Sequence, residues 1–324
     1  MRIKTTFSAD KSGVIDFNYQ HQIQALIYGF LSKSNPDYSQ WLHQQGFVYK
    51  NDKRFKFFAF SGISFHGPIK IIRSMSTNHS NNVANQYNLE ESPLLAKEGI
   101  EGRLKSHKIQ RDSKQQSNNF SSSNGFSFKS SQTNPFTFSF QIASPVDKFI
   151  QHLIEGIFHE GNEIVLGRQK LNIHRIETLP DPIAFNSEIS SPKSEILLKP
   201  LESPLFIKKP MPPGQQDIYL FPGDNGYEEL LNQNLMHKYE TLFDKPYQGE
   251  TLKFYFLETK GKTVKQFTVF KKGLDGSVHP IHIKGTLQPF TVTGPKELIK
   301  IGLECGFGQN NSMGCGYVEV VQTA

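Results

Sequence analysis

A glycine-rich run near the C-terminus is the part of the sequence best suited to hold an anion. Residues 306–316 read GFGQNNSMGCG, so glycines flank a short polar segment. Without a Cβ, a glycine backbone can bring its N–H groups close to a phosphate. The run lacks the Gly-Lys-Ser/Thr ending of a Walker A loop and the strand-before-helix setting of a dinucleotide fingerprint. An ordinary glycine-rich connection is the alternative interpretation.

His43 is a candidate for proton transfer. A short helix is predicted to begin at Asn35-Pro36, where asparagine caps and proline takes the first helical position, and to end at Gly46. At about 100° per residue, His43 lies off the apolar face of this helix and should face solvent. The negative end of the helix dipole favours a protonated imidazole, which suits a general acid. A solvated surface histidine is the alternative.

Other polar side chains could contribute to the same region. Tyr28 and His21 share the face of the preceding helix that is opposite its apolar stripe. Lys50, Lys53 and Arg54 form a basic cluster that follows His43. Such clusters are most often solvated charge, but this one flanks the candidate histidine.

A metal site is not predicted. His279, His282 and the His159-Glu160 pair are the residues that could suggest one. Neither a third and fourth ligand at recognisable spacing nor a carboxylate cluster accompanies them. We therefore expect no metal and no cofactor.

The elements that must position these residues occur twice in the same order. Alternation of period two and apolar stripes of helical spacing predict strand, helix, strand, strand, helix, strand in each half. This order predicts an α+β protein of two tandem ferredoxin-like βαββαβ domains, at residues 1–180 and 181–324. Residues 74–134, rich in Ser, Asn, Gln and Lys, are predicted to be a polar insertion in the first domain.

Composition limits the partners. A chain of 324 residues is long enough for two domains. Its 36 Lys+Arg against 30 Asp+Glu give a formal charge of +6, which favours polyanionic partners. No apolar run is long enough to span a bilayer, and no secretory signal is seen, so we expect a soluble, cytoplasmic protein that does not bind membranes. The two cysteines, Cys305 and Cys315, are expected to be reduced thiols.

The sequence resembles the repeat-associated (RAMP) superfamily, whose members handle CRISPR RNA. The glycine-rich run is similar to the C-terminal loop of that superfamily. The ordered N-terminal segments Leu26-Ile27-Tyr28, Ser34-Asn35-Pro36, Trp41-Leu42-His43 and residues 56–61 (KFFAFS) look like the Cas-six type endoribonucleases, which process precursor CRISPR RNA. The run departs from the superfamily in one respect, because residues 309–313 contain no Lys or Arg.

The resemblance implies a cleavage site made of a tyrosine, a histidine and a lysine. Matched by motif, these are Tyr28, His43 and Lys56, with Lys50 and Lys53 as alternatives for the lysine. The residues expected to bind RNA are His21, Lys50, Lys53, Arg54, Gly306, Gly308, Asn310, Asn311, Ser312, Gly314 and Gly316.

The chemistry implied is metal-independent cleavage of CRISPR repeat RNA. The 2′-hydroxyl of RNA attacks the adjacent phosphate, leaving a 2′,3′-cyclic phosphate and a 5′-hydroxyl, with His43 moving a proton. Further partners could include other Cas proteins of an effector complex, and the chain could be a monomer or a homodimer. The alternative function is a subunit of such a complex that binds CRISPR RNA without cutting it.

Overall fold

The structure, a computed structural model, describes residues 1–9, 14–50, 53–67, 69–73, 126–130, 136–160, 163–167, 169–183, 195–212, 214–215, 217–261, 263–272 and 277–321. Across these segments, no helix combines the length and the apolar character needed to cross a membrane.

The first unit is a sheet covered on one face by helices. In chain order it contains β1 (Arg2–Ala9), β2 (Val14–Asp16), α1 (Gln20–Ser34), α2 (Pro36–Gln44), β3 (Phe47–Tyr49), β4 (Lys53–Phe55), β5 (Ala59–Phe60), β6 (Ser64–Phe65), β7 (Ile69–Arg73), β8 (Phe126–Ser130), β9 (Phe136–Ala143), α3 (Asp147–Glu160), β10 (Glu163–Leu166) and β11 (Gln169–Leu179). The main sheet has the antiparallel order β10-β11-β1-β9-β5, and β6 also pairs with β9. Without the added β10, its strands follow the ferredoxin-like order fourth, first, third, second.

The second unit repeats this plan. It contains β12 (Ile196–Pro200), β13 (Ile207–Lys209), β14 (Ile218–Leu220), α4 (Tyr227–Phe243), β15 (Lys253–Phe256), β16 (Val264–Lys272), β17 (Val278–Thr286), β18 (Phe290–Thr293), α5 (Lys296–Cys305) and β19 (Val318–Val320). Its sheet has the order β15-β18-β12-β19, which is the same topology. The hairpins β13–β14 and β16–β17 are additions to it. The predicted α+β architecture of two tandem ferredoxin-like units is confirmed.

Aromatic rings fill the core of the first unit. Phe7 of β1 lies with its ring centroid 5.5 Å from that of Phe138 and 5.3 Å from that of Phe140, both on β9. Alternate residues of a strand point to one face, so this period-two pattern places the rings under α1 and α3. Phe149 of α3 packs from above, 4.8 Å from the ring of Phe58. The resulting core holds the helices that carry the candidate site.

Two segments rich in apolar residues do not form single strands. In residues 55–61 the chain leaves β4 after Phe55, passes through a left-handed conformation at Phe57 (φ 50°) and pairs with β9 only at Ala59 and Phe60. Residues 281–292 are divided between β17 and β18.

The predicted insertion at 74–134 is described only in part. Residues 74–125 and 131–135 lie outside the described residues. Residues 126–130 form β8, which lies between β2 and β7 in a separate three-stranded sheet. The insertion therefore returns to the first unit through a regular strand.

Both cysteines are free thiols in the interior, as expected. Burial raises the pKa of Cys305 to about 12, and it raises the pKa of Cys315 well above its ordinary value. Neither thiol is therefore suited to act as a nucleophile.

Candidate active site and glycine-rich loop

The short helix α2 is fixed at both ends. At its start, the side chain of Asn35 accepts a hydrogen bond from the backbone N–H of Tyr38 at 2.9 Å, and Pro36 occupies the first helical position, as predicted. At its end, Gly46 has a positive φ of 60°, and a Cβ there would lie 2.5 Å from the carbonyl oxygen of Phe55. The chain can therefore turn back against β4 only with glycine at this position, and His43 is held in the last turn.

His43 packs edge-on against Tyr28. The two ring centroids are 4.9 Å apart with an interplanar angle of 80°. The centroid of the Tyr28 ring also lies 5.9 Å from that of Phe58. Ser39 donates a hydrogen bond to the carbonyl oxygen of Tyr28 at 3.1 Å, which ties α2 to α1. A phenol and an imidazole are thus held in contact, and both can exchange protons.

The exposure of these two rings differs from expectation. Tyr28 was placed on the outward face of α1, but its side chain is only 6% exposed, because α2 covers that face. His43 was expected to face solvent and is half-buried, because it lies against Tyr28. The geometry of a single helix could not reveal a second helix packed beside it.

Two cations close the C-terminal end of α2. The ammonium of Lys56 donates to the carbonyl oxygens of Leu42 and His43, and Arg54 donates to that of Gln44 at 2.9 Å. The last carbonyls of a helix lack partners within it and carry partial negative charge, so cations stabilise them. Lys56 is therefore in contact with the backbone of His43.

Lys50 and Lys53 lie on the hairpin β3–β4, and this hairpin packs against α4 of the second unit. The side chain of Lys50 is 75% exposed, and its ammonium lies 4.0 Å from a carboxylate oxygen of Glu240. Lys53 is half-buried, with its Nζ 3.2 Å from Nδ1 of His237, and burial lowers its pKa. The three candidate lysines therefore have three different environments.

The sequence did not point to His237 as part of this region. Its ring stacks on that of Tyr49, with centroids 4.3 Å apart, and the Tyr49 hydroxyl donates to Glu240 at 2.7 Å. Burial lowers the pKa of His237, and the ammonium of Lys53 lowers it further. Its neutral Nδ1 can accept a hydrogen bond from Lys53. The contact lies between the two units, so the local pattern of either element gave no signal.

The glycine-rich loop follows a tightly folded path between α5 and β19. Positive φ angles occur at Gly306, Gly308, Asn310, Gly314 and Gly316. Several of its N–H groups are used inside the protein: Phe307 donates to Gly316, Gln309 to Phe206, and Gly316 to Pro204. These bonds fix the loop in one shape and leave its central residues at the surface.

The exposed part of this loop is its central segment. Asn310 is exposed, whereas Asn311 and Ser312 are half-buried and Gly314 is buried.

The loop also contacts the first unit at Gly314. A Cβ at Gly314 would lie 2.9 Å from the ring of Phe60 and 3.1 Å from the side chain of Gln20. The loop therefore touches the start of α1, where His21 follows Gln20. His21 is half-buried, and burial lowers its pKa.

A buried lysine beneath the loop was also missed. Lys238 of α4 is 2% exposed, and its ammonium donates to the carbonyl oxygens of Gly306 and Gly308 and to Oδ1 of Asn311. A signal for it existed, since Lys238 continues the helical spacing of the buried Leu231 and Leu235. Adjacent residues of α4 thus contact both candidate regions, His237 the hairpin and Lys238 the loop.

Two of the histidines considered for a metal site, His159 and His282, have different polar partners, and the side chains of His279 and Glu160 lie outside the described part of the structure. His159 lies with Nδ1 3.5 Å from the carbonyl oxygen of Lys33, and His282 lies with Nδ1 3.0 Å from the hydroxyl of Thr268. Among the residues that the structure describes, no group of three or more His, Cys, Asp or Glu side chains is placed to hold a metal ion.

Comparison with known proteins identifies the family. The model of the C-terminal part of CRISPR associated protein Cas6 matches residues 186–320, and that of the N-terminal part matches residues 14–116. The CRISPR-associated endoribonuclease Cas6 1 of Methanocaldococcus jannaschii is 26% identical, with 99% of this chain and 93% of the relative covered.

Solved structures share the fold along the whole chain. A CRISPR associated protein Cas6 has a TM-score of 0.59 at 22% identity, with 99% of both chains covered. A Cas6-related protein from Pyrococcus furiosus has a TM-score of 0.62 at 17% identity, with 100% of this chain and 99% of the other covered. The two family matches, the curated relative and the shared topology lead to one conclusion: the chain belongs to the Cas6 family of CRISPR-associated proteins.

Proposed function

We propose that this protein is a metal-independent endoribonuclease that cuts CRISPR repeat RNA within precursor CRISPR RNA. The observation that carries the proposal is the contact between the His43 ring and the buried Tyr28 phenol, beside a lysine ammonium at the end of α2. The relative in Methanocaldococcus jannaschii, a CRISPR-associated endoribonuclease, supports the same class of activity. An excess of basic over acidic residues, 36 against 30, suits a polyanionic substrate.

RNA supplies the nucleophile for this reaction. The 2′-hydroxyl next to the scissile phosphate attacks in line, the bond to the 5′ oxygen breaks, and that oxygen takes up a proton. Tyr28 or neutral His43 assists loss of the 2′-hydroxyl proton, and protonated His43 donates to the departing oxygen. The products are a 2′,3′-cyclic phosphate and a 5′-hydroxyl.

The surrounding structure favours these roles. His43 lies in the last turn of α2, where the helix dipole favours its protonated form. Lys56 holds the carbonyl oxygen of His43 and offsets negative charge that builds on the phosphate. Arg54 donates to the Gln44 carbonyl at this end of the helix, and Lys50 is exposed on the same β3–β4 hairpin. Both cations suit contact with neighbouring phosphates.

The test uses end-labelled repeat RNA incubated with the purified protein in EDTA. Wild type is expected to cleave at one position, and His43→Ala to lose about 10²–10⁴-fold in the single-turnover rate while RNA affinity stays within about threefold. Repeat RNA with a 2′-deoxy substitution at the scissile nucleotide should resist cleavage, because its nucleophile is missing.

A matched control is His159→Ala, since His159 also lies in the last turn of a helix and is exposed. Its cleavage rate should equal that of wild type. Full activity of His43→Ala would show that the site is wrongly placed, and cleavage only after metal is added would contradict the mechanism. Tight binding without cleavage would favour a subunit that holds CRISPR RNA.

A further inference from the structure

The glycine-rich loop contains no lysine or arginine, yet a cation is built into its base. The sequence between residues 306 and 316 is GFGQNNSMGCG, so the loop itself brings no positive side chain to a phosphate. Its path turns the carbonyl oxygens of Gly306 and Gly308 towards the interior, where buried carbonyls require donors. The donor is the ammonium of Lys238, which reaches the loop from α4 in the second unit.

The geometry at Lys238 calls for the charged form. Nζ lies 2.7 Å from the oxygen of Gly306, 2.9 Å from that of Gly308 and 2.7 Å from Oδ1 of Asn311. An ammonium has three N–H donors and all three are used here, whereas a neutral amine has two and would turn a lone pair towards one acceptor. The three contacts therefore depend on the positive charge.

Asn311 extends the effect of Lys238 across the loop. With Oδ1 held by the ammonium, its Nδ2 donates to the carbonyl oxygens of Phe307 at 3.3 Å and Cys315 at 3.0 Å. A Cβ at Gly306 or Gly316 would lie 2.5 or 2.8 Å from this Nδ2, so glycine is needed on both sides of the amide. The lysine, the asparagine and the two glycines form one unit that joins both ends of the loop.

We propose that Lys238 is a positioning residue that shapes the glycine-rich loop for RNA phosphate and supplies from below the positive charge that the loop lacks. This inference rests on the proposed RNA-binding function. Lys238 does not touch RNA, because its side chain is buried and its donors are occupied. It acts through the surface segment at Asn310 and Ser312, which lies on either side of the asparagine that it holds.

Burial lowers the pKa of Lys238 to about 7, and the positive charge of Lys53 on β4 lowers it further. The three acceptors around the ammonium oppose loss of its proton. Experiments at about pH 6 therefore examine the charged form.

The first test compares wild type with Lys238→Met, which keeps an unbranched side chain as far as the position of Cε and removes the ammonium group. Hydrogen exchange of the free protein should become faster in residues 306–316. Affinity for repeat RNA should fall about tenfold or more, because the loop loses the charge-assisted hydrogen bonds that hold its shape and the positive charge beneath it. The cleavage rate at saturating RNA should stay within about threefold, since the loop serves binding rather than proton transfer.

Lys245→Met is the matched control. Lys245 lies just beyond the end of α4, is exposed, and its replacement makes the same change in net charge. In this variant, hydrogen exchange in residues 306–316 and affinity for repeat RNA should both stay at their wild-type values. If both variants weaken RNA binding equally, general electrostatics explains the effect and the proposal is wrong.

A rescue experiment separates positioning from mere packing. Lys238→Ala leaves a space with the length of n-propylammonium, which can replace the missing carbons and nitrogen. We expect n-propylammonium, and not n-propanol, to restore slow exchange in the loop and tight RNA binding. If n-propylammonium and n-propanol had equal effects, or if neither compound had an effect, the requirement for a cation would be overturned.

A second variant covers the case in which Lys238→Met does not fold. Asn311→Ala removes one acceptor and the link between Phe307 and Cys315, and it leaves the ammonium with two carbonyl partners. It should also loosen the loop and weaken RNA binding. Wild-type exchange and affinity in this variant would contradict the proposal. Failure of wild type to bind repeat RNA would instead refute the proposed function, while loop exchange in the free variants would still decide whether Lys238 shapes the loop.

Discussion

At the scale of single residues, the candidate lysines differ in what their ammonium groups contact. Lys56 holds the last carbonyls of α2, including that of His43. Lys53 faces His237, and Lys50 is exposed near Glu240. Of these three lysines, only Lys56 therefore donates a hydrogen bond to the backbone of His43 among the contacts that the structure describes. Sequence position alone left all three lysines open, because their spacing does not reveal which ammonium reaches the helix end.

We predict that alanine at each of these lysines gives a different kinetic result. Lys56→Ala should lower the single-turnover rate at saturating RNA by about 10²-fold, because charge stabilisation and the position of His43 are both affected. Lys50→Ala should mainly weaken RNA binding, and Lys53→Ala should disturb the contact with α4. Single-turnover rates and dissociation constants measured side by side decide the matter. A larger loss of rate in Lys50→Ala or Lys53→Ala would move the catalytic role to that residue.

At the scale of elements, α4 and the hairpin β3–β4 form a joint between the units. Tyr49 stacks on His237, and Phe55 and Phe57 belong to the hydrophobic core of the second unit. The hairpin thus follows directly after α2 in the chain but is packed largely by another domain. The position of the end of α2 depends on this joint, because Arg54 and Lys56 hold that end from the hairpin side.

We predict that acid weakens this joint. The pKa of His237 lies below its ordinary value of 6.5 because of burial and of Lys53 and Lys50, against the opposing effect of Glu240. As the pH falls, the unfolded chain takes up this proton first, so the stabilisation is complete above about 6.5 and is lost as the pH falls through the lowered pKa. The melting temperature of wild type relative to His237→Gln should therefore fall between about pH 7 and 5.

This comparison needs no further control variant, because wild type and His237→Gln share every titrating group except His237. Glutamine can still accept a hydrogen bond from Lys53, so the difference reports the charge on the imidazole. A difference in melting temperature that stays constant over this range, or that grows in favour of wild type at low pH, would rule out the titration of His237 as its cause.

At the scale of the whole molecule, buried polar contacts join the two sheets. Arg2 of β1 donates to the Tyr317 hydroxyl at 3.0 Å and to the carbonyl oxygen of Val318. The Tyr317 hydroxyl in turn donates to Gln141 of β9 at 2.8 Å. Lys265 of β16 forms a further link, with an ion pair to Glu202 at 2.9 Å and a position 5.5 Å above the Tyr19 ring. These contacts hold the two units in one arrangement.

We predict that Tyr317→Phe destabilises the protein by about 1–3 kcal/mol, because it leaves the buried Arg2 and the half-buried Gln141 without their shared partner. Tyr317 is 1% exposed, so water cannot replace the hydroxyl. Tyr255→Phe, at a side chain that is 66% exposed, is the matched control and should change the stability by less than about 0.5 kcal/mol. Chemical denaturation measures both values, and equal stabilities would show that the hydroxyl contributes nothing between the units.

The sequence by itself determined the order of the elements, and with it the tandem fold. Strand alternation, apolar stripes and the Asn35-Pro36 helix start are local signals, and the structure confirms α2 and the repeated topology. The glycine-rich run lies between α5 and β19, which is the last helix-to-strand connection of the repeated order. The glycines of this run occupy positions where the backbone has a positive φ, a conformation that glycine adopts readily. Their spacing was therefore informative before their neighbours in space were known.

Tertiary structure decided which side chains meet. Tyr28 is buried because α2 covers it, the ammonium of Lys56 reaches the end of α2, and Lys238 lies beneath a loop that follows it by about 70 residues in the chain. Such contacts depend on the packing of whole elements, and one helix cannot report what lies against its outer face. The periodicity of a chain fixes which face of an element is apolar, but the partner of each polar group on it is set by how the elements pack.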